Sequence, residues 1–403
     1  MQKKVWKIKK YNYYIKRKVN KGTDFEGESM GTRKKEDCYI KVIRTIQKYE
    51  LIKPGDKLVV GISGGPDSMC LLEILTRIKQ QNCQNGTSPL ATFDFAVAHV
   101  NHMIREEAKE DEEYVKKYCI KNDIQFYGKS IDVQKIANTN KISTEEAGRN
   151  ARYEFFDEVL QKTKGNKIAI AHNKNDKVET IIMNELRGCG IQGLKGIEPI
   201  RGKYIRPLIE CERKEIEEYC KENNIKPRID KTNFENIYTR NKIRNIVIPY
   251  IEQEFNPNII ETMDRLSNLV TEQEEYIQKQ VEKVYEKIVL EEKINTYQIK
   301  KRVSTEQIVE QDIKSIQDKE YIILDLKGFN EQEKVIKSNI ILYTITRLFN
   351  TTKGIEKIHI EDIIKLCANN IGNKFLTPNK NLKVFIKNGQ IKISKEVWVA
   401  VIL

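Results

Sequence analysis

Residues 57–73 read KLVVGISGGPDSMCLLE. An apolar strand-like run, 57–62, meets the loop Ser63-Gly64-Gly65-Pro66-Asp67-Ser68, and apolar residues at helical spacing follow. A buried strand that turns through glycines into a helix commits the surrounding chain to an α/β architecture. Such a turn points backbone N–H groups and the positive end of a helix dipole at an anion. Adjacent glycines let a phosphate approach the main chain without a Cβ in the way. Ser63 and Ser68 supply hydroxyl donors, and Ser68 is also placed to cap the helix. Asp67 is a carboxylate aimed where phosphates would sit, a conflict that a bridging Mg²⁺ resolves. No Gly-Lys-Ser or Gly-Lys-Thr follows, so this is not a Walker A loop, and the spaced third glycine of a dinucleotide fingerprint is absent.

From Cys38 onward, strand and helix patterns alternate. Helical spacing is expected over 38–50, 67–80, 106–122, 174–186, 212–223 and 239–253, and strands over 57–62, 93–98, 124–131, 167–171 and 204–209. Ser143-Thr144-Glu145-Glu146 is a capping box that opens a helix to about 163. The alternation predicts a doubly wound, mostly parallel sheet, whose ligands bind beyond the carboxyl ends of its strands. Pro249 and Asn256-Pro257 mark the end of this unit. A long helix is expected over 258–290, a helix over 360–370, and a hairpin over 382–394 with Asn388-Gly389 at its turn. The expected organisation is a disordered basic extension (1–37), an α/β domain carrying the glycine loop (38–255), a helical linker or binding region (256–350) and a small α+β region (351–403).

A chain of 403 residues has room for two or three domains. Its net charge of +13 favours a polyanionic partner such as nucleic acid. The eight cysteines include no Cys-x-x-Cys, which argues for reduced thiols in the cytoplasm and against a disulfide framework or zinc ribbon. No apolar run approaches the length of a membrane span, so no membrane partner is expected.

Three of the four histidines, His99, His102 and His172, follow expected strands on the edge that carries the glycine loop. Asp176 and Glu179 share a face near the start of the 174–186 helix. They read either as helix-start acids complementing the dipole or as a pocket for an ammonium group or Mg²⁺. Glu145, Arg149 and Arg152 lie on one helix face, as a solvated ion pair or as phosphate holders. Arg240-Asn241-Lys242-Ile243-Arg244 opens a basic helix suited to phosphate contacts or to solvent.

The loop Ser63–Ser68 resembles the PP-loop of ATP pyrophosphatases, which cleave ATP between its α and β phosphates and adenylate an oxygen on the substrate. Taken with His99–Arg105, Glu145–Tyr153, His172–Thr180, Arg187 through Gly196, Arg206-Pro207-Leu208 and Arg240–Arg244, the sequence resembles the tRNA(Ile)-lysidine synthase family over roughly residues 38–266. That resemblance implies a carbon–nitrogen ligase acting on a tRNA(Ile) with a CAU anticodon. ATP adenylates the C2 oxygen of the wobble cytidine at position 34, and the ε-amine of L-lysine then expels AMP to give lysidine. Pairing changes from AUG to AUA.

It further implies ATP binding by Ser63, Gly64, Gly65, Pro66, Asp67, Ser68, His99 and Asn101, with Mg²⁺ placed by Asp67. Lysine falls to Asp176 and Glu179, catalysis to Asp67, Arg149, Arg152 and His172, and tRNA contacts to Arg187, Arg206, Arg240, Lys242 and Arg244. His172 is one candidate proton acceptor. A homodimer is left open. Asn173 and Asn175 stand where members often carry acids or a second histidine, and Met103 replaces a frequent glycine. A C-terminal Lys-Leu-Lys-type motif is not found before Leu403. The alternatives are a PP-loop tRNA thiolase, an NAD-synthetase-like ligase, and a non-catalytic tRNA-binding protein.

Overall fold

The computed structural model describes residues 37–85, 92–101, 108–228, 238–294, 320–369, 374–379 and 381–395. The expected basic extension, apart from Asp37, lies outside these residues, as do His102, Met103, Ile104 and Arg105. Two compact units are present. One holds the described residues up to Glu179 together with Ile197–Asn245; the other holds Thr180–Gly196 and the described residues from Ile246 onward.

The first unit carries strands β1 (Lys57–Gly61), β2 (Asp94–Asn101), β3 (Gln125–Ser130), β4 (Lys167–Ile170), β5 (Ile200–Arg201) and β6 (Tyr204–Ile205). Their order in the sheet is β3-β2-β1-β4-β6-β5, parallel except for the β5–β6 pair. Its helices are α1 (Cys38–Lys48), α2 (Pro66–Asn85), α3 (Ala108–Lys121), α4 (Val133–Asn140), α5 (Thr144–Lys162), α6 (Lys174–Leu186), which runs on into the second unit, and α7 (Arg213–Glu222). Helices cover both faces of the sheet, which is why the central strands read as apolar runs rather than alternating ones. On one face Leu58 and Val60 share a core with Met69, Leu71, Leu72 and Leu75 of α2. On the other, Val59, Ala98 and Ile168 meet Phe155, Phe156 and Val159 of α5. A Cβ on Gly61 would lie 2.4 Å from Phe156 Cζ, so glycine at the end of β1 is what lets α5 approach.

Two expected boundaries move for physical reasons. Strand β2 runs on through His99 to Asn101, because β3 pairs it as far as Asn101↔Ser130. The expected 204–209 strand stops at Ile205, ahead of Pro207, whose ring removes a ladder donor. Ser143 caps α5 as expected, its Oγ accepting from Glu146 N at 3.1 Å.

In the second unit, a helix spans Ile259–Ile288 and leads into β7 (Val289–Lys293). Strands β8 (Tyr321–Asp325), β9 (Lys374–Asn379), β10 (Leu382–Lys387) and β11 (Gln390–Lys395) complete an antiparallel sheet in the order β7-β8-β11-β10-β9. Asn388 and Gly389 have φ of 51° and 73°, the left-handed pair that a two-residue hairpin turn requires. Val281, Phe329, Ile345, Val384 and Ile393 belong to one core. The 256–350 segment is thus not a purely helical linker: it contributes β7 and β8 to the sheet completed by residues 374–395.

Leu75 of α2 has no exposed surface. Leu75→Ala should cost about 2–5 kcal/mol, read as a lower urea midpoint at unchanged slope. A loss under about 1 kcal/mol would show that the α2–sheet core is loosely packed.

Candidate active site

Ser68 organises the glycine loop. Its Oγ accepts from Ser63 N at 3.2 Å and Gly64 N at 3.1 Å, and donates to Gly65 O at 3.0 Å. The two serine hydroxyls lie 3.1 Å apart. Gly64 has φ of +89°, open only to glycine at low cost. Below the loop, His99 Nδ1–H donates to Ile62 O at 2.8 Å. The His99 ring is buried against Phe126, and burial lowers its pKa despite the opposing Ile62 bond and the charges of Glu112 and Asp111. His99 and Asn101 are buried at the carboxyl end of β2 rather than in the loop after it, with Asn101 Nδ2 3.5 Å from Glu112 Oε2. His99 braces the residue before Ser63.

Helix α6 starts beside the loop. Asn173 N donates to Asp176 Oδ2 at 3.1 Å, and Asp176 N donates to Asn173 Oδ1 at 2.9 Å. This reciprocal pair satisfies two helix-start donors. Asn173 Nδ2 also donates to Asp67 Oδ1 at 3.0 Å. One asparagine therefore links the loop to the carboxylates of α6. Asp67 is pushed up to about 6, first by burial and then by the Asp176 charge, against Arg213, the Asn173 bond and Arg244.

Glu179 is 1% exposed. Its Oε1 lies 2.6 Å from Arg244 Nε, and its Oε2 lies 2.7 Å from an Arg244 terminal nitrogen and 3.0 Å from Arg240 Nε. Arg244 also donates to Asp176 Oδ1 at 3.0 Å, and Arg240 to Asp176 O at 3.2 Å. The sequence pattern predicts surface phosphate contacts for these two arginines; instead both turn inward. They sit in a chain that breaks from helix (Thr239–Lys242) into a π-turn (Ile243–Val247) and back into helix (Ile248–Glu254).

Arg206 is likewise turned inward. It is buried, with Nε donating to His172 Nδ1 at 3.1 Å and a terminal nitrogen to Glu198 O at 2.6 Å. Only Arg187 and Lys242 of the five expected tRNA contacts are exposed. His172 falls to about 3, through burial first and then the charges of Arg206, Arg240, Arg149 and Arg152. Nδ1 of His172 is engaged as an acceptor from Arg206 Nε. Arg149 is exposed, its guanidinium 5.4 Å from the centre of the Tyr153 ring. Arg152 is also exposed. Asn173 and Arg213 were missed by sequence reasoning, although the Asn-x-x-Asp spacing of 173–176 is a legible helix-start signal.

A glycine turn cradled by its own serine at the carboxyl end of a parallel strand defines a nucleotide-using PP-loop domain, and residues 38–251 match that domain family. The tRNA(Ile)-lysidine synthase of Clostridium acetobutylicum is 43% identical over 352 residues, covering 87% of this chain and 68% of that protein. That of Clostridioides difficile is 40% identical over 358 residues, covering 88% and 70%. The chain belongs to the tRNA(Ile)-lysidine synthase family. A solved U34-tRNA thiolase from Methanococcus maripaludis is 19% identical with a TM-score of 0.47, over 58% of this chain and 80% of its own.

The His172 shift has a signed consequence. From 6.5 down towards about 3, the unfolded chain takes up a proton that the folded ring refuses, so stability falls as the pH falls through this window. His172→Gln should flatten that part of the acid limb in urea unfolding. An unchanged limb would mean the ring is protonated in the fold.

Proposed function

We propose that this chain forms lysidine on tRNA(Ile), using ATP as a substrate, with the chemistry centred on Asp67 and the start of α6. The supporting observation is Asn173, which joins the ATP loop to the Asp176 carboxylate through bonds of 3.0 and 3.1 Å. In this reading the C2 oxygen of cytidine 34 attacks the α-phosphorus and pyrophosphate leaves. The lysine ε-amine then adds at C2, and the C2–O bond breaks as AMP departs. Adenylation is needed because the pyrimidine C2 carbonyl is a weak electrophile with no leaving group.

The loop N–H groups and the Ser63 hydroxyl would hold phosphate oxygens. Arg149 and Arg152 would face the charge that develops during transfer. Lysine is a zwitterion with a second ammonium, and the pocket contains both signs. Its carboxylate suits Arg240 and Arg244, and its ammonium suits Asp176. Glu179 is sealed behind the arginines and acts through them rather than by touching lysine.

Mg²⁺ belongs to the same proposal. Among the described residues no group of three His, Cys, Asp or Glu side chains could hold a metal. Asp67 Oδ2 accepts no hydrogen bond from them, and its nearest cation is Arg213 at 3.9 Å. One open carboxylate oxygen fits an ion that takes its other ligands from phosphates and water. When bound, the ion would neutralise phosphate charge. Among the described residues no helix is long and apolar enough to cross a membrane. A cytoplasmic place of action follows from a tRNA substrate.

Purified protein given Mg²⁺, ATP, L-lysine and a CAU-anticodon tRNA(Ile) transcript should release AMP and pyrophosphate. Nucleoside mass spectrometry should show cytidine 34 heavier by lysine less water. No AMP release would sink the reading, and product made from a sulfur donor without lysine would favour the thiolase. Asp67→Ala should abolish AMP release while tRNA binding stays near wild type. Arg240→Ala should raise KM for lysine more than KM for ATP; equal rises would make Arg240 structural only.

A further inference from the structure

Arg213 opens α7, and its position is fixed at both chain and side chain. Its main-chain N–H donates to Asn175 Oδ1 at 2.9 Å, and Lys174 N donates to Cys211 O at 2.8 Å, so the starts of α6 and α7 are tied together. The guanidinium then stands 3.9 Å from Asp67 Oδ2 and 4.0 Å from Asp176 Oδ1. Both separations exceed a hydrogen bond. The charge is therefore shared between two carboxylates from different elements and committed to neither. Asp67 Oδ1 is occupied by Asn173, and Asp176 Oδ1 by Arg244. Asp67 Oδ2 accepts no hydrogen bond among the described residues.

Three carboxylates, Asp67, Asp176 and Glu179, face three guanidiniums, Arg213, Arg240 and Arg244. Resting on the function proposed above, we infer that Arg213 is a resident cation that keeps free divalent metal off Asp67 and makes metal entry depend on ATP. A divalent ion arriving alone meets a like charge at Asp67 Oδ2. Polyphosphate brings negative charge and further oxygens, and those oxygens suit the guanidinium fork, which draws Arg213 away from Asp67 Oδ2. Arg213 is thus a positioning residue, acting through Asp67.

The test is Mn²⁺ binding followed by electron paramagnetic resonance, with neither ATP nor tRNA present. Wild type should bind weakly. Arg213→Gln and Arg213→Ala should bind about tenfold or more tightly, and Arg213→Lys should behave as wild type. Asp67→Asn added to Arg213→Gln should abolish the gain. Thermal unfolding checks both neutral variants, so a folding defect in one leaves the other to report. Equal Mn²⁺ affinity in wild type and the neutral variants overturns the inference, as does Arg213→Lys binding like Arg213→Gln. A loss of ATP affinity with no change in Mn²⁺ binding also overturns it, making Arg213 a phosphate ligand only. The readout needs no turnover. Failure to make lysidine with the Mn²⁺ gain intact would therefore remove the proposed function and not the role of Arg213.

Discussion

A carboxylate sealed from water is costly to bury unless cations are brought to it, and Glu179 is 1% exposed. Two arginines from the 239–247 segment meet it, and both also reach Asp176, Arg244 at the carboxylate and Arg240 at the main-chain carbonyl. That requirement explains the local backbone. Arg240 and Arg244 are four apart, and the segment that carries them departs from regular helix into a π-turn where Arg244 lies. Such turns are frequent at functional sites, because they re-aim side chains that a regular helix would point elsewhere. The ionic cluster places both charge signs within reach of one another, next to the loop.

The second organising element is the pair of elements that leave β1 and β4, neighbours at the centre of the sheet. The loop after β1 ends in α2, and the turn after β4 starts α6. Parallel pairing forces both exits onto the same edge. Asn173 then spans the gap between them. Ser68 closes the loop from within, so its shape does not wait for a ligand to define it. Preorganised donors of this kind are worth more than donors that must be gathered when charge develops.

The α/β class and the loop were legible because they rest on local periodicity and on glycine chemistry. The hairpin turn at Asn388-Gly389 was legible for the same reason: few other dipeptides accept two left-handed residues. The direction in which arginines point was not legible. Arg206, Arg240 and Arg244 sit in basic stretches that look solvent-facing, and only the burial of His172 and Glu179, supplied by distant chain, decides their orientation. Asn173 looked like a loss relative to an acidic pattern, whereas it is the link between Asp67 and Asp176. Strands β7 and β8 were not legible because they lie among charged, weakly patterned residues. Their strand character depends on partners far along the chain.

That distance has a consequence for how the protein is made. Strand β8 is flanked by β7 on one side and by β11, at residues 390–395, on the other. During synthesis the parallel sheet has all its strands once residue 205 has emerged, well ahead of its counterpart. The antiparallel sheet keeps β8 unpaired on its β11 side until residues 390–395 have emerged in turn. For that interval the nascent chain carries an apolar strand with unused main-chain donors and acceptors, the kind of surface that trigger factors and other holdases shield.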